Sequence, residues 1–158
     1  MARLTPQFSP HRAVRDYIDQ YYINAAKTYH ERAAHNCAIG LQVAKWQRLL
    51  ERKWADLRLG EIRIETGRQG YLIGIEVYFN GFDQNAAQIE LYAEGLDGSS
   101  PVKQKMTRSK QIEGAGNGYI YTAQVSANRP AADYTVRALP YFPGVVAPLE
   151  ATHILWQR

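Results

Sequence analysis

The sequence predicts an α+β chain in which an amphipathic helical segment, residues 1–57, precedes an antiparallel β-sandwich, residues 58–158. Two changes along the chain predict it. The apolar period falls from about 3.6 residues to about 2 near Leu57, and the whole net charge of +4 lies in the first part. Residues 1–57 hold nine Lys and Arg against five Asp and Glu, whereas residues 58–158 hold ten of each. So uneven a balance marks two modules, and a solvated helix face accounts for the excess more simply than nucleic-acid binding does.

The helical part opens at Ser9-Pro10, a capping serine followed by a proline at the first helical position, where its missing N–H costs nothing. Val14, Tyr17, Ile18, Tyr21, Ala25 and Tyr29 then recur at intervals of three and four, opposed by Arg12, Arg15, Asp19 and Lys27. A break or kink is expected around His35-Asn36. A second stripe follows at the same spacing: Ile39, Val43, Trp46, Leu50, Trp54 and Leu57. Helices with stripes this wide and aromatic owe their stability to packing more than to propensity, so both stripes require a surface.

Beyond Leu57 the pattern is that of strands. Ile62 and Ile64 form the first. Tyr71, Ile73, Ile75, Val77 and Phe79 line one face of the second, which the turn pair Asn80-Gly81 ends. Ile89 and Leu91 give a third, a weak strand near Val102–Thr107 a fourth, and Tyr119 to Val125 a fifth. Tyr134–Leu139 and Thr152–Trp156 complete about seven strands over roughly 100 residues, the pattern of an immunoglobulin-like, more particularly fibronectin III-like, sandwich. Tyr134, after a turn containing Pro130, stands where a tyrosine corner would pin the crossover to the penultimate strand.

Hydrophobic residues make up 46% and charged residues 22%, a folded composition. No apolar run approaches the ~18 residues of a membrane span, and the first residues have no signal-peptide core. The single cysteine excludes an internal disulfide framework. Cytoplasm is the expected compartment.

Few residues suggest chemistry. His30 and Cys37 share a helix face but stand about 10 Å apart along the axis, too far for one zinc; two exposed histidines and a buried thiol are expected instead. The run Gly114–Gly118 lacks the following helix that a phosphate loop needs, so it reads as a hairpin, with Asn117-Gly118 supplying positive φ. Lys103, Lys105, Arg108 and Lys110 read as the charges that keep edge strands from pairing. Serines fall at turns and caps, with no histidine at catalytic spacing. Most tyrosines and tryptophans occupy inward positions. Tyr78, Tyr141 and Phe142 are left as candidates to stack on sugar rings.

Several stretches resemble, in order and spacing, the terminal region of bacterial and archaeal α-glucan (glycogen/maltodextrin) phosphorylases. They are Phe8 to Tyr17 (FSPHRAVRDY) with Gln20-Tyr21-Tyr22, Met106-Thr107-Arg108, and Gly116 to Tyr119. Tyr134 to Arg137 (YTVR), Pro140 to Pro143 (PYFP), Pro148 to Ala151 (PLEA) and Ile154 to Arg158 (ILWQR) complete the series. The resemblance implies a C-terminal, non-catalytic segment of an enzyme that phosphorolyses α-1,4-glucan to glucose 1-phosphate. Phe8–Tyr29 would be a helix lying across the catalytic halves. It implies that the cofactor, pyridoxal phosphate, sits on a lysine outside this chain, which would bind neither cofactor nor metal and show no activity alone. The implied partner is the catalytic domain, through the Tyr/Trp stripe, with α-glucan contact as a second role. The alternative is a free-standing interaction module whose helical arm dimerises.

Overall fold

The computed structural model describes residues 9–68, 70–96 and 98–157. Phe8 and Arg158, where the resembling stretches begin and end, lie outside the described residues. The chain forms two compact units, Met1–Lys45 and Trp46–Arg158. The sheet-containing unit thus begins inside the helical segment, before the periodicity changes.

In the first unit, helix α1 (Pro10–Tyr17) passes through a π-helical turn (Ile18–Tyr22) into α2 (Ile23–Lys53). Ser9 caps α1 as its sequence requires, its Oγ accepting from the Arg12 N–H at 3.3 Å. The expected break is present. Ala34 is extended (ψ 158°), and His35, Asn36 and Cys37 follow in the left-handed region with φ of 51°, 57° and 60°, which residues bearing a Cβ seldom occupy. The expectation of a buried thiol is corrected here, because Cys37 is exposed. A left-handed turn resets the helical phase, so its face cannot be counted from His30. The first stripe is exposed throughout: Val14, Tyr17, Ile18, Tyr21, Ala25 and Tyr29 all stand open.

The second unit holds two four-stranded antiparallel sheets. They are built from β1 (Arg58–Gly67), β2 (Gly70–Tyr78), β3 (Ala87–Ala93), β4 (Val102–Lys105), β5 (Thr107–Gln111), β6 (Gly118–Val125), β7 (Thr135–Pro140) and β8 (Leu155–Trp156). One sheet runs β1-β2-β6-β5 and the other β4-β3-β7-β8. The eighth strand, β5, is the one that the residue pattern hides: TRSKQ is exposed at every position and has no apolar alternation. Between β4 and β5 the chain changes sheets at Met106, whose side chain is buried and whose N–H donates to the Ile89 carbonyl at 2.9 Å.

Alternation in the strands sets the interior. Ile73, Ile75 and Val77 from β2 meet Ile89 and Leu91 from β3 and Val136 and Ala138 from β7, all at most 1% exposed. Trp46, Leu50 and Leu57 belong to the same buried cluster. Full burial of one such side chain stabilises by roughly 1.5–3 kcal/mol, so this cluster outweighs any surface pair in the unit. Trp54 meets the edge of Phe82 at 5.6 Å between ring centres.

The turns follow local chemistry, with one correction. Asn80 and Gly81 take φ of 47° and 88°, but their turn leads from one sheet to the other rather than closing a hairpin. The run Gly114–Gly118 does join a hairpin, β5 to β6; its positive φ belongs to Gly114 (76°) and not to Asn117-Gly118, because Gly118 is already in β6 opposite Tyr78. The Tyr134 hydroxyl donates to the Ser126 carbonyl, eight residues upstream, at 3.3 Å. The Arg129 guanidinium lies over the Tyr134 ring and donates to the Glu94 carbonyl at 2.6 Å. Among the described residues no helix is long and apolar enough to cross a membrane.

Candidate functional site

Tyr141 follows β7, anchored by its N–H to the Ala86 carbonyl at 2.9 Å, with its side chain 44% exposed. It borders a cleft of about 350 Å³ between the Gln84–Ile89 stretch and the Lys105–Arg108 crossover. The walls carry the amides of Gln84, Asn85 and Gln88, and Tyr121 also lines the cleft. Both cations of the crossover rest on aromatic rings: Lys105 Nζ is 5.6 Å from the centre of Tyr141, and the Arg108 guanidinium is 5.0 Å from that of Tyr119. Arg108 also donates to Gln84 Oε1. Among the described residues no carboxylate lines the cleft.

The other two aromatic candidates lie elsewhere. Phe142 is half-buried and packs on Trp46 at 5.5 Å between centres, so its ring helps bind the loop after β7 to the end of α2. Gln47 reinforces that junction by donating to the Glu150 carbonyl at 3.4 Å. Tyr78 is on the outward face of β2, in the other sheet. Its ring lies across two glycines: a Cβ on Gly60 would come within 2.9 Å of it and one on Gly118 within 3.1 Å. The hydroxyl donates to Glu76 Oε2 at 2.8 Å, and that bond raises the phenol's pKa above its ordinary value. The three candidates therefore do not form one site.

A row missed by the residue pattern crosses the outer face of the second sheet. In register it reads Lys105, Glu90, Arg137 and Trp156, one residue from each strand. Glu90 and Arg137 are buried although they face outward. Arg137 Nε donates to Glu90 Oε1 at 2.7 Å, joined by a second bond from Nη2. The guanidinium lies 4.4 Å from the ring centre of Tyr92 and 5.0 Å from that of Trp156. The two carriers of the pair are 47 residues apart, and only the strand register brings them together.

Lys103 and Lys105 fall on β4, and Arg108 and Lys110 on β5, each strand an edge of its sheet. Charge there opposes further strand addition. All six lysines are exposed. Among the described residues no three His, Cys, Asp or Glu side chains are grouped to hold a metal.

No family profile matches the chain, and no solved structure matches it. It is similar to the maltodextrin phosphorylase of Thermococcus litoralis, 24% identical over 148 residues, which is 87% of this chain and 17% of the relative. It is equally similar to the glycogen phosphorylase of Mycobacterium tuberculosis, 24% identical over 153 residues, 91% of this chain and 18% of the relative. That of Mycobacterium bovis gives the same values. The chain thus spans less than a fifth of the length of the curated relatives it matches. Distant but nearly full-length, the similarity relates this chain to a segment of glycogen and maltodextrin phosphorylases.

Proposed function

We propose that the chain acts as the C-terminal, non-catalytic segment of an α-glucan phosphorylase. Its helical arm would lie on the catalytic body, and its sandwich, immunoglobulin-like in topology, would serve assembly and glucan contact. The carrying observation is that similarity covers 87–91% of this chain but only 17–18% of the enzymes. The exposed tyrosine stripe fits this reading, since it offers a face that a larger body would cover. So does the strand order, which sets the first, second, sixth and fifth strands against the fourth, third, seventh and eighth, an immunoglobulin-type arrangement with Tyr134 as its corner. Phosphorolysis and pyridoxal phosphate would belong to the catalytic body, with this chain supplying neither a reacting group nor the cofactor lysine.

An antibody against the sandwich tests the proposal. Added to an extract of the source cells, it is expected to deplete release of glucose 1-phosphate from maltodextrin and inorganic phosphate. Full activity left in the supernatant, with the antigen recovered as a homodimer of this chain, would replace the proposal with the free-standing dimerisation module.

A further inference from the structure

We propose that the free edge of β1 is a self-association surface, at which two copies of this chain pair antiparallel and join their first sheets into one. The inference does not rest on the phosphorylase reading. β1 (Arg58–Gly67), the longest strand, ends the order β1-β2-β6-β5, and among the described residues no strand lies on its far side. An edge strand presents unpaired N–H and C=O groups that another strand can take up. The other edges are closed to a copy: β4 and β5 carry cations and no carboxylate, so like charge opposes pairing, and β8 has two residues. β1 carries both signs and an uncovered apolar side chain. Ile64 shares the inward face with Ile73, its partner across the ladder, yet it is 43% exposed where Ile73 is 1%. A strand added at this edge continues that face and covers it.

The charges select a second copy and one register. Glu61, Arg63 and Glu65 alternate with Ile62 and Ile64, and all three are exposed. With Ile64 on a two-fold axis, two antiparallel β1 strands set Arg63 opposite Glu65 twice, Ile64 opposite itself and Ile62 opposite Thr66. Centring on Arg63 or on Glu65 puts like charges face to face. Centring on Ile62 runs the pairing over the irregularity between Leu59 and Ile62 and over Gly60, whose carbonyl already accepts from Gln157 Nε2 at 3.0 Å. Arg63 meets Glu61 at 3.2 Å and Glu76 at 3.5 Å, but its side chain is 63% exposed. Contacts of that kind are weak, and a guanidinium has further N–H groups to give to the copy's carboxylate. Glu65 forms no ion pair among the described residues.

The test is sedimentation equilibrium of the 158-residue protein from micromolar to near-millimolar concentration, because so short an edge makes a smaller and weaker contact than a standard interface. The expected result is a reversible monomer–dimer equilibrium. Arg63→Glu and Glu65→Arg, each at an exposed position, turn both cross-strand pairs into like charges, and each alone is expected to raise the dimer dissociation constant about tenfold or more. Mixed in equal amounts, the two variants restore opposite charge at both pairs and are expected to regain the parent's dimer as a heterodimer. Chains that had failed to fold could not do so. Tyr21→Ala is expected to dimerise as the parent does. A parent that stays monomeric over the whole range overturns the proposal, as does a mixture no more dimeric than its components. Loss of the dimer in Tyr21→Ala, with both charge variants unaffected, overturns it by assigning the contact to the helical stripe. Antibody depletion of phosphorolysis does not depend on any of these outcomes, so the two readings fail separately.

Discussion

Two stretches of the same helical segment carry stripes of the same period and meet opposite fates. Trp46, Leu50 and Leu57 are at most 5% exposed and belong to the sandwich core, while Tyr17, Tyr21 and Tyr29 are 59–69% exposed. Periodicity says that a face is apolar; it does not say what covers the face. The difference lies in reach along the chain. From Trp46 onward the second stripe is followed within a few residues by β1 and shares a compact unit with the sheets, so the partners of that part come from its own continuation. The first, in a unit of its own, leaves its aromatics open. Tyrosine suits that condition, because a ring with a hydroxyl tolerates water as well as a partner.

The largest expected effect sets the two stripes against each other. Trp46→Ala is expected to cost about 3–5 kcal/mol in denaturant unfolding, the range for truncating a buried aromatic. Tyr21→Ala is expected to stay within about 0.5 kcal/mol, as exposed positions do. Equal losses would break the comparison by showing Tyr21 covered. Next is the polar anchor on the outer face of the second sheet. Glu90→Gln removes the charge that Arg137 meets and is expected to destabilise by about 1.5–3 kcal/mol, the range for a charged hydrogen bond. Replacing both members by apolar residues of similar shape should recover most of that loss. Tyr134→Phe removes only the bond to the Ser126 carbonyl and is expected to cost about 1 kcal/mol, read as a lower midpoint with an unchanged slope.

The smallest effect concerns pH. Burial raises the pKa of Tyr121 above its usual value, with Arg108 opposing. A phenol raised in the folded state favours the neutral form, so its contribution is complete below the unfolded value of about 10 and declines as pH rises past it. Melting temperature is therefore expected to fall above about pH 10, and the fall should be shallower in Tyr121→Phe. An unchanged slope in that variant would assign the alkaline loss to other groups.

Legibility in the sequence followed the range of each cause. The cap at Ser9, the break at His35-Asn36 and the turn at Asn80-Gly81 are set by near neighbours, and residue pattern finds them. Strand β5 escaped because an edge strand exposed on both faces carries no alternation. The Glu90–Arg137 pair escaped because its members meet only through register. Phe142 sits in a loop whose sequence leaves its ring open to solvent, yet Trp46 lies against it; a loop that docks on a helix end looks no different in sequence from one that does not. Tyr141, two residues into the same prolyl stretch as Pro140, was legible as an exposed ring, but the amides beside it come from a segment more than fifty residues away.

The seating of Tyr78 across Gly60 and Gly118 has a consequence for inheritance. The ring occupies the space that side chains at both glycines would fill, so the three positions form a unit in which one large residue stands in for three. Among descendants of this chain a side chain at position 60 or 118 should arise only after residue 78 has become small. Loss of the tyrosine comes first, but it does not free position 118 by itself, because Ala115 Cβ also lies 2.9 Å from a Cβ there.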